Sequence, residues 1–139
     1  MASPDVLSAE TIQLAEESLR RCASEQFFQA FYKRLLQSDA ATRAKFAHTD
    51  FDRQNKLLQH GLGLLFTFAK RRNPVLLERI AARHNKQDLD VAPAQYAHFE
   101  ESLLRTVREF DPEWGPALED AWHRAIAPGI AFMAAQHGG

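Results

Sequence analysis

Residues 73–96 read NPVLLERIAARHNKQDLDVAPAQY, and the rest of the chain is organised around this stretch. Asn73-Pro74 is a strong helix start. The Asn side chain accepts from free backbone N–H groups, and proline in the first turn loses no hydrogen bond. Leu77, Ile80 and His84 follow at i, i+3 and i+7, so they share one helical face. The polar run Asn85-Lys86-Gln87-Asp88 ends that helix, and Pro93 opens another with Tyr96, Phe99, Leu103 and Val107 on one face. A histidine therefore stands where the apolar stripe calls for one more apolar residue. An unpaired imidazole there costs roughly 1–3 kcal/mol. His84 needs a hydrogen-bond partner such as a backbone carbonyl, or a metal.

The same helical period extends outward in both directions. Ser8 is expected to cap a first helix whose face is Ile12, Ala15, Leu19 and Cys22, with residues 1–7 frayed. Ser24 caps a second over 25–37, with Phe28, Phe31 and Leu35 on its face and Phe27 and Tyr32 beside them. Ser38-Asp39 breaks it, and a short helical piece leads to Phe46. Thr49 and Asp52 resemble a capping box at the head of a long helix over 50–71. The stripe of that helix is Phe51, Gln54, Leu58, Gly61 or Leu62, Leu65 and Ala69, so Gln54 is polar on an apolar face. Gly61 and Gly63 each cost about 1 kcal/mol against alanine, which predicts close approach of a neighbouring backbone. Asp111-Pro112-Glu113-Trp114-Gly115-Pro116 is a loop. A last helix over 116–135 turns Leu118, Ala121, Trp122, Ala125 and Phe132 inward and is expected to kink at Pro128. With no strand alternation, the reading is all-α: six or seven helices in one domain over residues 1–139, with 136–139 also frayed.

Composition narrows the function. A chain of 139 residues that is 45% hydrophobic holds one substantial core. A formal net charge of -1 gives no electrostatic footprint for nucleic acid or a membrane surface. Cys22 is the only cysteine, which excludes an intrachain disulfide and a cysteine-based zinc site. There is no basic-then-apolar leader and no apolar run near the ~20 residues of a membrane span. The expected location is the cytoplasm.

Phe28-x-x-Phe31-Tyr32, then Phe46, Gln54-x-x-x-Leu58, His84, Tyr96 and Ala121-Trp122, in this order, resemble the globin family. The likeness is closer to bacterial single-domain globins and the haem domain of flavohaemoglobins, and it runs from about Ser8 to Met133. It implies a globin fold of six to eight helices around a pocket for haem b, held non-covalently because no Cys-x-x-Cys-His attachment exists. Carried over residue by residue, it implies that His84 is the proximal iron ligand, which imidazole suits as a neutral nitrogen donor. Phe46 packs on the porphyrin, Tyr96 opens the helix after the proximal histidine, and Tyr32 and Gln54 are distal hydrogen-bond donors. Leu58 is the apolar residue over the iron, and Ile80 lies one turn before His84 on the same face. His48 and Arg83 are candidates to hold a propionate, as are Arg53 and Lys86, while His60 would reach the haem edge if the long helix were rotated. The plain alternatives are a Tyr32 hydroxyl at the surface and a Gln54 facing solvent. Glu100 falls near the pocket, turned either outward or inward.

The resemblance implies binding of dioxygen, with nitric oxide and carbon monoxide as further gaseous ligands. A second implied activity is conversion of nitric oxide to nitrate by the oxygenated protein. That activity needs an external reductase, because the chain as read carries no flavin or nicotinamide module. A third is a gas-sensing or interaction module. The expected assembly is a monomer or homodimer.

Overall fold

The computed structural model describes the backbone of residues 4–84 and 93–135, and the side chains of these except residues 4–8, 76, 82–84 and 93. Among the described residues seven helices follow one another: α1 (Pro4–Cys22), α2 (Glu25–Ser38), α3 (Ala40–Lys45), α4 (Phe51–Arg71), α5 (Val75–His84), α6 (Pro93–Phe110) and α7 (Pro116–Ala135). Among the described residues there is no strand.

The helix boundaries follow from side chains that satisfy otherwise unpaired backbone groups. Ser24 accepts from the Phe27 N–H at 3.1 Å and starts α2. Asp39 serves two helices. It terminates α2, and its carboxylate accepts from the backbone N–H and hydroxyl of Thr42, at 3.1 and 2.9 Å, to start α3. The cap of α4 is Asp50 rather than the expected Thr49, and it accepts from the N–H groups of Asp52 and Arg53 at 3.1 and 3.3 Å. A carboxylate outcompetes a hydroxyl here because it is a stronger acceptor and suits the positive end of the helix dipole. Arg72 closes α4 in the left-handed region at φ 56°, its N–H bonded to the Phe68 carbonyl at 2.7 Å. Asn73 Oδ1 then accepts from the Val75 N–H at 3.1 Å, as its position predicts. At the other end of the chain α1 begins at Pro4 rather than Ser8, since proline fits the first helical turn without loss.

The core lies where α4 and α1 pack on α7 and α2 packs on α6. Phe27, Phe31, Phe66, Leu62, Leu77 and Trp122 are fully buried there. Close packing occurs at a glycine other than the two expected. A Cβ on Gly129 would overlap Leu65 Cδ2 and lie 3.1 Å from Leu77 Cδ1, so α7 approaches α4 and α5 closely only because that position has no side chain. Gly61 and Gly63 have nothing within 4 Å of a built Cβ, which removes the backbone-approach explanation for them. α7 continues through Pro128, and Phe132 is only partly buried.

One polar knot lies inside this core. The Trp122 indole N–H donates to Ser18 Oγ at 3.0 Å, and Ser18 donates to Asp111 Oδ2 at 2.5 Å. Arg21 adds two bonds to the same carboxylate at 2.9 and 3.2 Å, and the Glu113 N–H a further one at 2.9 Å. The Asp111 side chain is wholly buried. The knot joins α1, the α6–α7 loop and α7 across some ninety residues of sequence. Arg34 makes a comparable clamp from α2 to α6, donating to Thr106 Oγ1 at 3.1 Å and pairing with Glu109.

Candidate functional site

The packing leaves a cavity of about 410 Å³ bounded by α2, α3, α4, α5, α6 and α7. Its walls are mostly apolar. From α4, the residues Gln54, Leu58, Gly61 and Leu65 face it in succession at the spacing of one helical stripe. Gly61 thus leaves open the space that a side chain would fill.

Tyr32 and Gln54 meet at this wall. Tyr32 is 5% exposed, and the Gln54 side chain lies near enough to its hydroxyl to act on it electrostatically. Tyr32 is thus buried rather than at the surface, and Gln54 is half-buried on the cavity wall. The Tyr32 ring is fixed edge-on by Phe31 at 4.9 Å and by Phe51 at 5.2 Å, and it contacts Phe46 at 5.7 Å. Phe46 and Phe51 stack on each other. Burial pushes the Tyr32 hydroxyl up to about 12, against a smaller opposing effect of the nearby Gln54 side chain. It remains a protonated donor at neutral pH. Burial alone pushes Tyr96 up to about 12 as well.

The cavity brings together most of the residues singled out from sequence: Tyr32, Phe46, Gln54, Leu58, Ile80 and Tyr96 all line it. His84 follows Ile80 by four residues and is the last residue of α5. The side chains of His84 and Arg83, and Lys86 with the whole corner over 85–92, lie outside the described residues. His48 and Arg53 are exposed and do not line the cavity. Phe46 caps the C-terminus of α3, and His48 two residues later is exposed. Glu100 turns away from the cavity and bonds His123 Nδ1 on α7 at 2.9 Å.

Sequence reasoning missed the polar rim. Thr42, Lys45, Thr49 and Gln95 line the cavity. His60, which the sequence brings to the haem edge only if the long helix is rotated, lines it too. Lys45 and Gln95 directly precede Phe46 and Tyr96, two residues that the sequence does mark. Their pairing joins positions fifty apart, which no local period reveals. A second, shallow groove beside α1 is lined by Glu16, Arg20 and Lys70, where Lys70 and Glu16 pair at 2.6 Å, and it has no comparable apolar wall.

Residues 29–133 match the family model described as Globin. The chain belongs to the globin family. A protein from Pseudomonas aeruginosa PAO1, described as structurally highly homologous to a human hemoglobin, superimposes with a TM-score of 0.89 at 33% identity, over 93% of this globin and 99% of that chain. Among curated protein sequences none matches it. Membership of the family implies that the globin binds haem. The described residues fit that group. The cavity has the size of a small-molecule site, roughly 300–1,000 Å³, and an aromatic at one edge. Two donors sit on one wall, and the helix ending in His84 contributes to the boundary through Ile80. No helix among the described residues is long and apolar enough to cross a membrane.

Proposed function

We propose that this globin holds haem b non-covalently and uses it to bind dioxygen reversibly. His84 serves as the protein's ligand to the iron, and Tyr32 and Gln54 as donors on the opposite wall. The observation that carries this reading is that buried Tyr32 and half-buried Gln54 line the same mostly apolar cavity. Haem, when bound, supplies an iron centre that takes one nitrogen donor from the protein and leaves a position for a diatomic gas. The i+4 spacing of His84 from Ile80 supports its placement on the cavity face of α5.

The other residues act on the gas and on water. A diatomic ligand that draws electron density on binding is stabilised by hydrogen-bond donors. Tyr32 and Gln54 are both donors at neutral pH. Each interaction with such a partly charged acceptor contributes about 1.5–3 kcal/mol, because it is made in a dry site. Leu58, Leu62 and Leu65 keep that site dry. Phe46, stacked on Phe51, presents a flat apolar face suited to a porphyrin ring.

The test is the dioxygen dissociation rate by stopped flow. Tyr32→Phe removes only the hydroxyl from a ring held by its neighbours, and the rate should rise about tenfold or more. An unchanged rate would remove Tyr32 from the distal role. The wild-type rate should also stay flat from pH 7 to about 10, because the hydroxyl keeps its proton until about 12.

A further inference from the structure

Among the described residues two side chains carry sulfur, Cys22 and Met133, and the fold treats them differently. Both are buried, at 3% and 6% exposure. Met133 lines the cavity, whereas Cys22 does not. Met133 follows Gly129 by four residues on α7, so the two share one face of that helix. The Gly129 position packs against Leu65 and Leu77, which turns that face toward α4 and α5. Leu65 and Ile80 continue the wall from these two helices. The Met133 thioether thus belongs to the apolar part of the cavity.

The cavity is also open to solvent. Leu57, 45% exposed, and His60, likewise exposed, both line it. A molecule little larger than water can therefore enter while the helices stay packed. The two sulfurs differ in reactivity as well. Peroxides attack a thiolate far faster than a thiol, and burial pushes the Cys22 thiol up to about 11. Cys22 stays protonated and inert at neutral pH. A thioether has no proton to lose, so its oxidation needs only access.

We propose that Met133 is an oxidation site inside the cavity: hydrogen peroxide converts its thioether to the sulfoxide, and the oxidised side chain loosens haem. The sulfur lone pair attacks one peroxide oxygen. An S–O bond forms and the O–O bond breaks. The proton on the transferred oxygen passes to the departing hydroxide, which leaves as water. Sulfur gives up two electrons and peroxide takes them. A flexible apolar side chain thereby becomes a polar one. Leu65 and Ile80 offer the new oxygen no hydrogen-bond donor, so a ligand that fills the cavity strips it of water and leaves it unpaired. The oxidation itself needs no ligand. The loosening rests on the haem reading above and deepens it, because it makes retention of the group respond to peroxide.

The experiment treats the full-length protein, before haemin is added, with hydrogen peroxide beside N-acetylmethionine in the same solution. The masses of the peptides carrying Met133 and Cys22 are followed. Met133 should gain one oxygen at a rate within about tenfold of N-acetylmethionine, while Cys22 stays unmodified and unreactive toward iodoacetamide. Catalase then removes the peroxide and haemin is added. The oxidised protein should lose haemin to excess apomyoglobin about tenfold faster than untreated protein. Met133→Leu, a volume-conserving change, should lose haemin at one rate with or without peroxide treatment, and the wild-type comparison stands even if this variant folds poorly. Slower oxidation of Met133, or oxidation that keeps pace with modification of Cys22, means that access comes from opening of the fold and overturns the site. Sulfoxide at Met133 with unchanged haemin loss overturns the loosening. An untreated wild type that takes up no haemin overturns the haem reading and the loosening with it, while the peptide masses still decide the oxidation site.

Discussion

At the scale of single residues, two glycines on facing helices do opposite things. Gly129 is a contact. Its missing side chain lets Leu65 and Leu77 reach the α7 backbone, and Gly129→Ala should destabilise the fold by about 1–3 kcal/mol, the usual cost of overpacking. Gly61 is a space, with nothing within 4 Å of a built Cβ. Gly61→Ala should stabilise the haem-free protein by up to about 1 kcal/mol through helix propensity, yet loosen haem because the methyl group enters the cavity. Urea unfolding of both variants, with haemin titration of the second, checks the pair. If Gly61→Ala bound haemin as tightly as wild type, the cavity face of α4 would be wrongly assigned. The sequence marks Gly61 and Gly63 as costly for a helix, but not why. Whether a glycine serves contact or vacancy depends on a neighbouring helix that no local period describes.

At the scale of elements, the helices are held at their ends by a few carboxylates and hydroxyls. Asp50 satisfies two N–H groups at the head of α4, the helix that carries Gln54, Leu58 and Gly61. Asp50→Ala should cost about 1 kcal/mol of stability, while Thr49→Ala should cost little at that cap. Equal losses in thermal unfolding would return the cap to Thr49. Sequence and structure agree well at this scale. Ser24 and Asn73 cap where their positions predict, α2 and α4 end within a residue of expectation, and α6 and α7 start at their prolines. Such signals act over three or four residues, so they are present in the local sequence. The Lys45–Gln95 pair and the Ser18–Asp111 knot join residues about fifty and ninety apart. Nothing near Asp111 in sequence distinguishes it from an ordinary loop aspartate. The cavity lining follows the same division. Gln54, Leu58 and Ile80 lie on helical stripes and Tyr32 beside one, and the globin resemblance implies their place at the pocket, whereas Lys45 and Gln95 are joined across α3 and α6. His48, two residues after Phe46, is exposed and does not line the cavity.

At the scale of the whole molecule, the Asp111 knot makes stability depend on pH. Burial pushes this carboxyl up, but bonds from Arg21, Ser18 and the Glu113 N–H outweigh it and hold the group below the usual carboxylate range. A depressed folded-state value means that the ionised form is favoured by folding. The stability it contributes is complete above the unfolded carboxylate value of about 4 and is lost as pH falls below it. Asp111→Ala leaves the Arg21, Ser18 and Glu113 donors without their acceptor and should cost about 3 kcal/mol at pH 7. Its urea midpoint should fall less than the wild type's between pH 5 and 3, and parallel curves would show that other carboxylates govern acid unfolding.

The account's central claim is that the cavity takes haem through His84, and the most direct measurement is the absorption spectrum of the protein titrated with haemin, then reduced, then exposed to carbon monoxide, beside His84→Ala. The predicted result is a saturable Soret band in the wild type that shifts to a histidine–carbonyl form, and a variant that retains little haem until imidazole is added. A wild type with no saturable band, or a variant with an identical spectrum, would contradict the claim.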